Sequence, residues 1–320
     1  TLLLFIATEI ALAPLFASYS HTGREAFAAY NSPEAIISNL LLVHSWGIHN
    51  SLTWNFPAWS LSTEWAAYLY FAFTVVFGGQ RFLPWAVIAA AVSAYMLIFV
   101  APHHMGSNHD FGVFRSLLGF AVGAMAFYAY RGLSRRWDAA ALPKSLMTCL
   151  EVLALAIVIA AQMSLGLSQY GAAVLMAHMV LMIVFAFGRG HLSDLLSLKP
   201  IAYLGAISLS VYMTHAWLLL RFINVASLIE PFTGIETVRI EMVGGQPMTM
   251  LNLDPWVSTA LAVMMMAVVV GVSHYTYKFI ELPGQQLFRI FANHFRQPTA
   301  GRNAPVSRST GSAGAFRAAG

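Results

Sequence analysis

Residues 256–277 read WVSTALAVMMMAVVVGVSHYTY, a run without a single Asp, Glu, Lys or Arg. About 20 mostly apolar residues suffice to carry an α-helix across the hydrocarbon core of a bilayer. Seven further segments repeat the pattern wholly or nearly: 1–17, 60–77, 83–101, 111–130, 147–165, 170–187 and 201–222. None of them alternates polar and apolar residues with period two, which argues against a β-barrel. Helices are the other way to satisfy every backbone polar group in lipid. The predicted fold is therefore all-α: a polytopic transmembrane helical bundle with about eight spans in this chain.

Composition agrees. Of 320 residues, 58% are hydrophobic and only 9% are charged, with a net charge of +4. A soluble domain carries about 25% charged residues, so a single soluble globule is excluded. The one cysteine, Cys149, excludes a disulfide-built fold. No basic helix or heptad run is present, so the expected partner is the lipid bilayer and not a nucleic acid. Residues 298–320 are rich in Gly, Ala, Ser and Arg and read as a disordered basic tail. No boundary is visible within 1–297, which is taken as one transmembrane domain. The chain starts at Thr1 inside an apolar run, without a basic leader, and this start reads as a truncation with spans missing upstream.

Orientation follows from Lys and Arg in the short loops. The tail carries Arg289, Arg296, Arg302, Arg308 and Arg317 and no acid after Glu281. This places the C-terminus in the cytoplasm, with the protein multi-pass in the plasma (inner) membrane. The loops 131–146 (Arg131, Arg135, Arg136, Lys144) and 188–200 (Arg189, Lys199) then fall inside. The loop 102–110, free of Lys and Arg, falls outside, as does the acidic loop 223–255. The long loop 18–59, with Trp46, Trp54 and Trp59, is expected at the outer surface.

Ionisable residues inside spans are functional candidates by default. Here they are Glu9, Glu64, Arg115, Glu151, His178, His215, Arg221, His274 and Glu281. Ser60, Glu64 and Tyr68 are spaced i, i+4, i+8, which predicts one polar face. Glu64 reads either as a general acid/base, or an orienter of one, or as a satisfied structural carboxylate paired with Arg115. Arg115 in turn either binds an anion or pairs with Glu64. Ser208, Tyr212 and His215, at i, i+4, i+7, predict a second polar face, with His215 able to exchange a proton near neutral pH. His178, flanked by Ala and Met, reads as structural. His103, His104 and His109 lack a metal-site spacing, and no metal site is read. Gly119 and Gly123 offer at most a small-residue helix contact.

The stretch Asn55-Phe-Pro-Ala-Trp59-Ser60-Leu-Ser62-Thr-Glu64 resembles the Asn-x-Pro-x-Trp-Ser-Leu-x-x-Glu signature of the acyltransferase 3 family. Three later segments are similar to family motifs in the same order: Phe114-Arg115 through Phe120 and Gly123, Leu204-Gly205 through Ser208, Tyr212 and His215, and Tyr277 through Glu281 and Pro283. The resemblance covers about residues 1–290. It implies a multi-spanning membrane enzyme that moves an acyl group, acetyl by default, from acyl-CoA to a hydroxyl of a glycan, often a cell-surface polysaccharide, or of a small-molecule acceptor. Acyl-CoA (acetyl-CoA) is then a co-substrate, with no bound cofactor. The family usually has about ten spans, and its first two carry a catalytic His and an Arg that match nothing in this chain. The resemblance implies Glu64 as the catalytic carboxylate, orienting that His or sharing its acid/base work. Asn55, Trp59, Ser60, Tyr68, Arg115, Ser208, Tyr212 and His215 are the implied substrate-binding residues. Glu281 is implied to be structural.

Two other readings remain. A transporter or flippase of a lipid-linked sugar would also place Glu, His and Arg along a path, and predicts inverted repeats. A non-catalytic scaffold predicts fully paired polar groups and no cavity.

Overall fold

The computed structural model describes residues 1–19, 31–79, 82–138, 141–243 and 246–295. The expected tail 298–320 lies outside the described residues. The chain divides into two compact units, Thr1–His274 and Tyr275–Gly320.

Each of the eight apolar segments is helical. They give α1 (Leu2–Tyr19), α3 (Trp59–Gly78), α4 (Phe82–Tyr95, prolonged by a π-helical turn over Met96–Val100), α5 (Gly112–Ser134), α6 (Lys144–Leu165), α7 (Gly171–Ala186), α10 (Ser208–Thr233) and α11 (Pro255–Thr276). Between them lie the short helices α2 (Ala35–Leu40), α8 (His191–Leu196) and α9 (Lys199–Ala206). Among the described residues five helices are long and apolar enough to cross a membrane: Phe82–Val100, Gly112–Ser134, Lys144–Leu165, Ser208–Glu230 and the one starting at Pro255. The count of about eight spans is thus not reached by length and composition. The apolar stretches Leu2–Pro14 and Gly171–Ala186 are shorter, and α3 is diluted by Ser60, Ser62, Thr63 and Glu64.

Two expectations need correction. The segment 201–222 is not one continuous helix: it breaks at Ile207 between α9 and α10. The loop 223–255 is also more structured than its reading as a loop. Helix α10 runs on to Thr233 and ends at Gly234, whose φ of +67° favours glycine. An antiparallel hairpin follows, β1 (Val238–Val243) and β2 (Gln246–Leu251), with Val238 opposite Leu251. Glu230 steers the chain into it, since its Oε1 accepts the backbone N–H groups of Thr237 (2.7 Å) and Val238 (2.8 Å).

Within the first unit α5 is the hub, packing on α3, α4 and α7. Small residues let α4 and α5 approach: Ala86, Ala89 and Ala121 are buried together. The expected contact at Gly119 and Gly123 is not made, because a Cβ at either would meet nothing within 4 Å. The close approach is at Gly112, where a Cβ would lie 3.0 Å from Thr63 Cγ2 on α3. Leu97, Ala101, Leu118 and Val122 form a second core, with α7 packed on it through Leu175 and Met179. Outward faces carry exposed Phe73, Val76, Phe77, Ile88 and Ile159, the surface a bilayer covers.

In the second unit, the π-helical turn Tyr277–Glu281 leads into α12 (Leu282–Phe295). Leu287, Phe288, Ile290 and Phe291 are exposed on this helix. Glu281 accepts a hydrogen bond from Gln285 Nε2 at 3.3 Å, one turn on.

Candidate active site

The segment before α3 is fixed to the bundle by short polar contacts. Ser45 N donates to Ser62 Oγ (3.1 Å), Trp46 Nε1 to the Ser62 carbonyl (2.8 Å), and Gly47 N to the His109 carbonyl (2.9 Å). Trp54 is buried with φ +52°. A left-handed conformation at a large side chain is strained by about 1–2 kcal/mol, and here it turns the chain directly ahead of Asn55. Asn55 is buried; its Nδ2 donates to the Met213 carbonyl of α10 at 3.2 Å.

The same helix is held twice more. Tyr212 Oη donates to the Pro57 carbonyl (2.6 Å) and accepts from Ser60 Oγ (2.9 Å). On the other side, Thr63 Oγ1 and Ser116 Oγ share a 2.6 Å hydrogen bond that ties α3 to α5. Arg115 reaches across from the first turn of α5. Its guanidinium lies 4.9 Å from the Trp59 ring centroid, a cation–π contact. Its Nη1 donates to the Ser107 carbonyl at 3.3 Å.

These groups border one cavity of about 440 Å³. Trp59, Ser60, Arg115 and Tyr212 line it together with Met105, Ser116, Gln162, Leu167, Leu175 and His178. The volume lies at the lower end of the roughly 300–1,000 Å³ usual for small-molecule sites. Four residues singled out from three separate stretches of sequence thus meet at one polar space, and the fully packed, cavity-free scaffold is not what the chain forms.

The other sequence candidates lie elsewhere. Glu64 and Tyr68 are exposed, and among the described residues Glu64 makes neither a hydrogen bond nor an ion pair. The pairing of Glu64 with Arg115 is not formed. The reason is helical phase. Thr63, Ala67 and Thr74 form the buried face of α3, and at 100° per residue Glu64 is already turned away from it. Ser208 is likewise exposed, one position out of phase with buried Ile207, Ser210, Thr214 and Leu218. His215 does not line the cavity. Its Nδ1 faces the Tyr212 carbonyl at 2.7 Å; a carbonyl only accepts, so Nδ1–H is the donor.

His178, read from sequence as structural, is the residue that was missed. Its Nδ1 donates to the Val174 carbonyl at 3.0 Å, and its side chain belongs to the cavity wall. The signal was present in spacing: Gly171, Val174 and His178, at i, i+3, i+7, share the face of α7 that lines the cavity. Gln162 and Ser116 were missed with it.

A family model described as an acyltransferase domain (Acyl_transf_3) matches residues 2–274. The chain belongs to the acyltransferase 3 family. The match spans every element that builds the polar cavity of this acyltransferase domain, and it makes the protein a multi-pass membrane acyltransferase by family. Among curated proteins and among solved structures no match is found. No group of three or more His, Cys, Asp or Glu that could hold a metal ion occurs among the described residues.

Proposed function

We propose that this acyltransferase moves an acyl group, acetyl by default, from acyl-CoA to a hydroxyl of a carbohydrate or other cell-envelope acceptor. The observation that carries the reading is the convergence of Trp59, Ser60, Arg115 and Tyr212 on one polar cavity in a membrane bundle. The loop charges support a cytoplasmic C-terminus, and a cell-envelope acceptor fits a protein of the plasma membrane. The cavity then lies in the outer half, beside the loop 102–110, free of Lys and Arg, and away from the Arg-rich loop after α5. An acceptor arriving from the outer side fits that position.

The chemistry sets what the site must supply. The acceptor oxygen bonds to the thioester carbonyl carbon, the C–S bond breaks, and the alcohol proton ends on the released thiol. An alcohol needs a base as it attacks, and the carbonyl oxygen carries negative charge in the tetrahedral intermediate. Arg115, with N–H donors beyond its one bond to Ser107, suits that charge or the acceptor. The Ser60–Tyr212 pair adds neutral hydroxyls. Glu64 holds a carboxylate with no partner among the described residues one turn along α3 from Ser60, suited to orient a basic side chain or share its proton.

The full gene product in lipid, given radiolabelled acetyl-CoA and a cell-envelope glycan extract, is expected to label the glycan. Glu64→Ala and Arg115→Gln are each expected to lower transfer about 100-fold. The absence of both transfer and thioester hydrolysis in the wild type would overturn the reading.

A further inference from the structure

Arg115 stands in the cavity wall as a cation with no ion pair among the described residues. Among the described residues its guanidinium makes one hydrogen bond, to the Ser107 carbonyl, and lies over the Trp59 ring. A guanidinium has five N–H donors in a planar fork, so most of its donor capacity is unspent. The unspent nitrogens are not sealed in protein, since none is buried without a partner. No Asp or Glu lines the cavity. A cation inside a membrane domain is costly unless it is paired or serves a substrate, and the free fork geometry matches a carboxylate or phosphate in two-point fashion.

A second group on the same wall has the opposite character. The Nδ1–H of His178 is committed to the Val174 carbonyl, so in the neutral ring Nε2 is an acceptor. In that form it suits a hydroxyl donor. The cavity thus offers one fixed positive charge for an oxyanion and one neutral acceptor for an O–H. Its 440 Å³ suits a sugar ring with its substituents better than a whole acyl-CoA.

We infer that the acceptor of this cavity is an acidic carbohydrate, its carboxylate or phosphate pairing with Arg115 and one of its hydroxyls donating to Nε2 of His178. The inference rests on the acyl-transfer reading for the word acceptor, and on the cavity's own groups for the chemistry of the ligand.

Binding without any acyl donor tests it separately from catalysis. The full gene product in nanodiscs is titrated calorimetrically with methyl β-D-glucuronide, methyl β-D-glucoside and methyl β-D-glucoside 6-phosphate. At least one acidic sugar is expected to bind about tenfold more tightly than the neutral one, the difference a charge-assisted hydrogen-bonded pair makes. Which acidic sugar shows the preference identifies the oxyanion. Arg115→Gln is expected to erase the preference, Arg115→Lys to keep part of it, and His178→Phe to weaken all sugars alike. Equal affinity for the three sugars, no measurable binding of any, or a preference that survives Arg115→Gln overturns the inference. Failure of acetyl transfer with the acidic preference intact would overturn the catalytic reading and leave the binding site standing.

Discussion

Two charged side chains inside the bundle, Glu151 and Arg115, receive opposite treatment. Glu151 on α6 is completely buried, and its carboxylate is saturated. Oε1 accepts from Gly190 N at 3.0 Å and from Ser193 Oγ; Oε2 accepts from the backbone N–H groups of Leu192 (3.1 Å) and Ser193 (3.4 Å). One turn back, Thr148 Oγ1 accepts from His191 N at 2.9 Å, and Lys144 pairs with Asp194. The face Lys144–Thr148–Glu151 therefore caps the start of α8, where N–H groups have no partner within the helix. Arg115 has one backbone bond and open space beside it. An ionisable residue in a span is a functional candidate by rule, but its hydrogen-bond saturation separates the structural charge from the one left to meet a ligand.

The comparison breaks if the two sites respond alike to truncation. Glu151→Ala orphans four donors and is expected to destabilise the fold by about 3 kcal/mol. Gly190→Ala, which would place a Cβ 2.0 Å from Glu151 Oε2, is expected to act in the same direction. Denaturant unfolding in detergent measures both. Arg115→Gln in the same assay is expected to shift stability by less than about 1 kcal/mol, its effect falling on transfer. A large stability loss at Arg115 would remove the distinction.

A third group sharpens it, because His44 is buried yet does not line the cavity of Arg115. Burial, reinforced by nearby His49, holds its imidazole down to about 4, against the milder pull of the Ser38 and Ala58 carbonyls. Neither ring nitrogen makes a well-formed hydrogen bond. Because the folded value lies below the unfolded one, the unfolded chain takes up the proton first as pH falls. Stability from this residue is whole above about pH 6.5 and declines toward pH 4, by about 2 kcal/mol. Melting temperature against pH should show this slope in the wild type, and a flatter one in His44→Gln.

The smallest expected effect is at the rim of the cavity. Tyr212→Phe removes the donor to the Pro57 carbonyl and the acceptor for Ser60 Oγ. It is expected to lower stability by about 1 kcal/mol, and to raise acceptor KM more than it lowers kcat, because it loosens the wall and leaves the charge at Arg115 in place. A fall in kcat alone would give Tyr212 a direct part in the chemistry.

Much of the fold was legible in the sequence because hydropathy is a local property. All eight apolar segments are helical, and the stitch between Asn55–Ser60 and Tyr212 joins two motifs singled out in advance. The hairpin 238–251 was hard to read from sequence. Its strands, VRIEMV and QPMTML, are short, and the Gly244–Gly245 pair between them was the available turn signal.

The candidate site was legible only in part. Spacing put Ser60, Glu64 and Tyr68 on one helical face, and Ser208 with Tyr212, yet it cannot say which way that face points. The rotation of α3 was set by Thr63 and Ala67 packing inward beside Gly112, which turned Glu64 out. The rotation of α7 brought His178 to the wall that Arg115 shares. Composition and periodicity by themselves determined a helical membrane protein, since transfer of apolar side chains into lipid depends on each segment alone; the resemblance to the family rested on the motif Asn55–Glu64. Only the tertiary structure decided which charges are saturated and which stay open, because hydrogen-bond partners such as Gly190 for Glu151 come from distant parts of the chain.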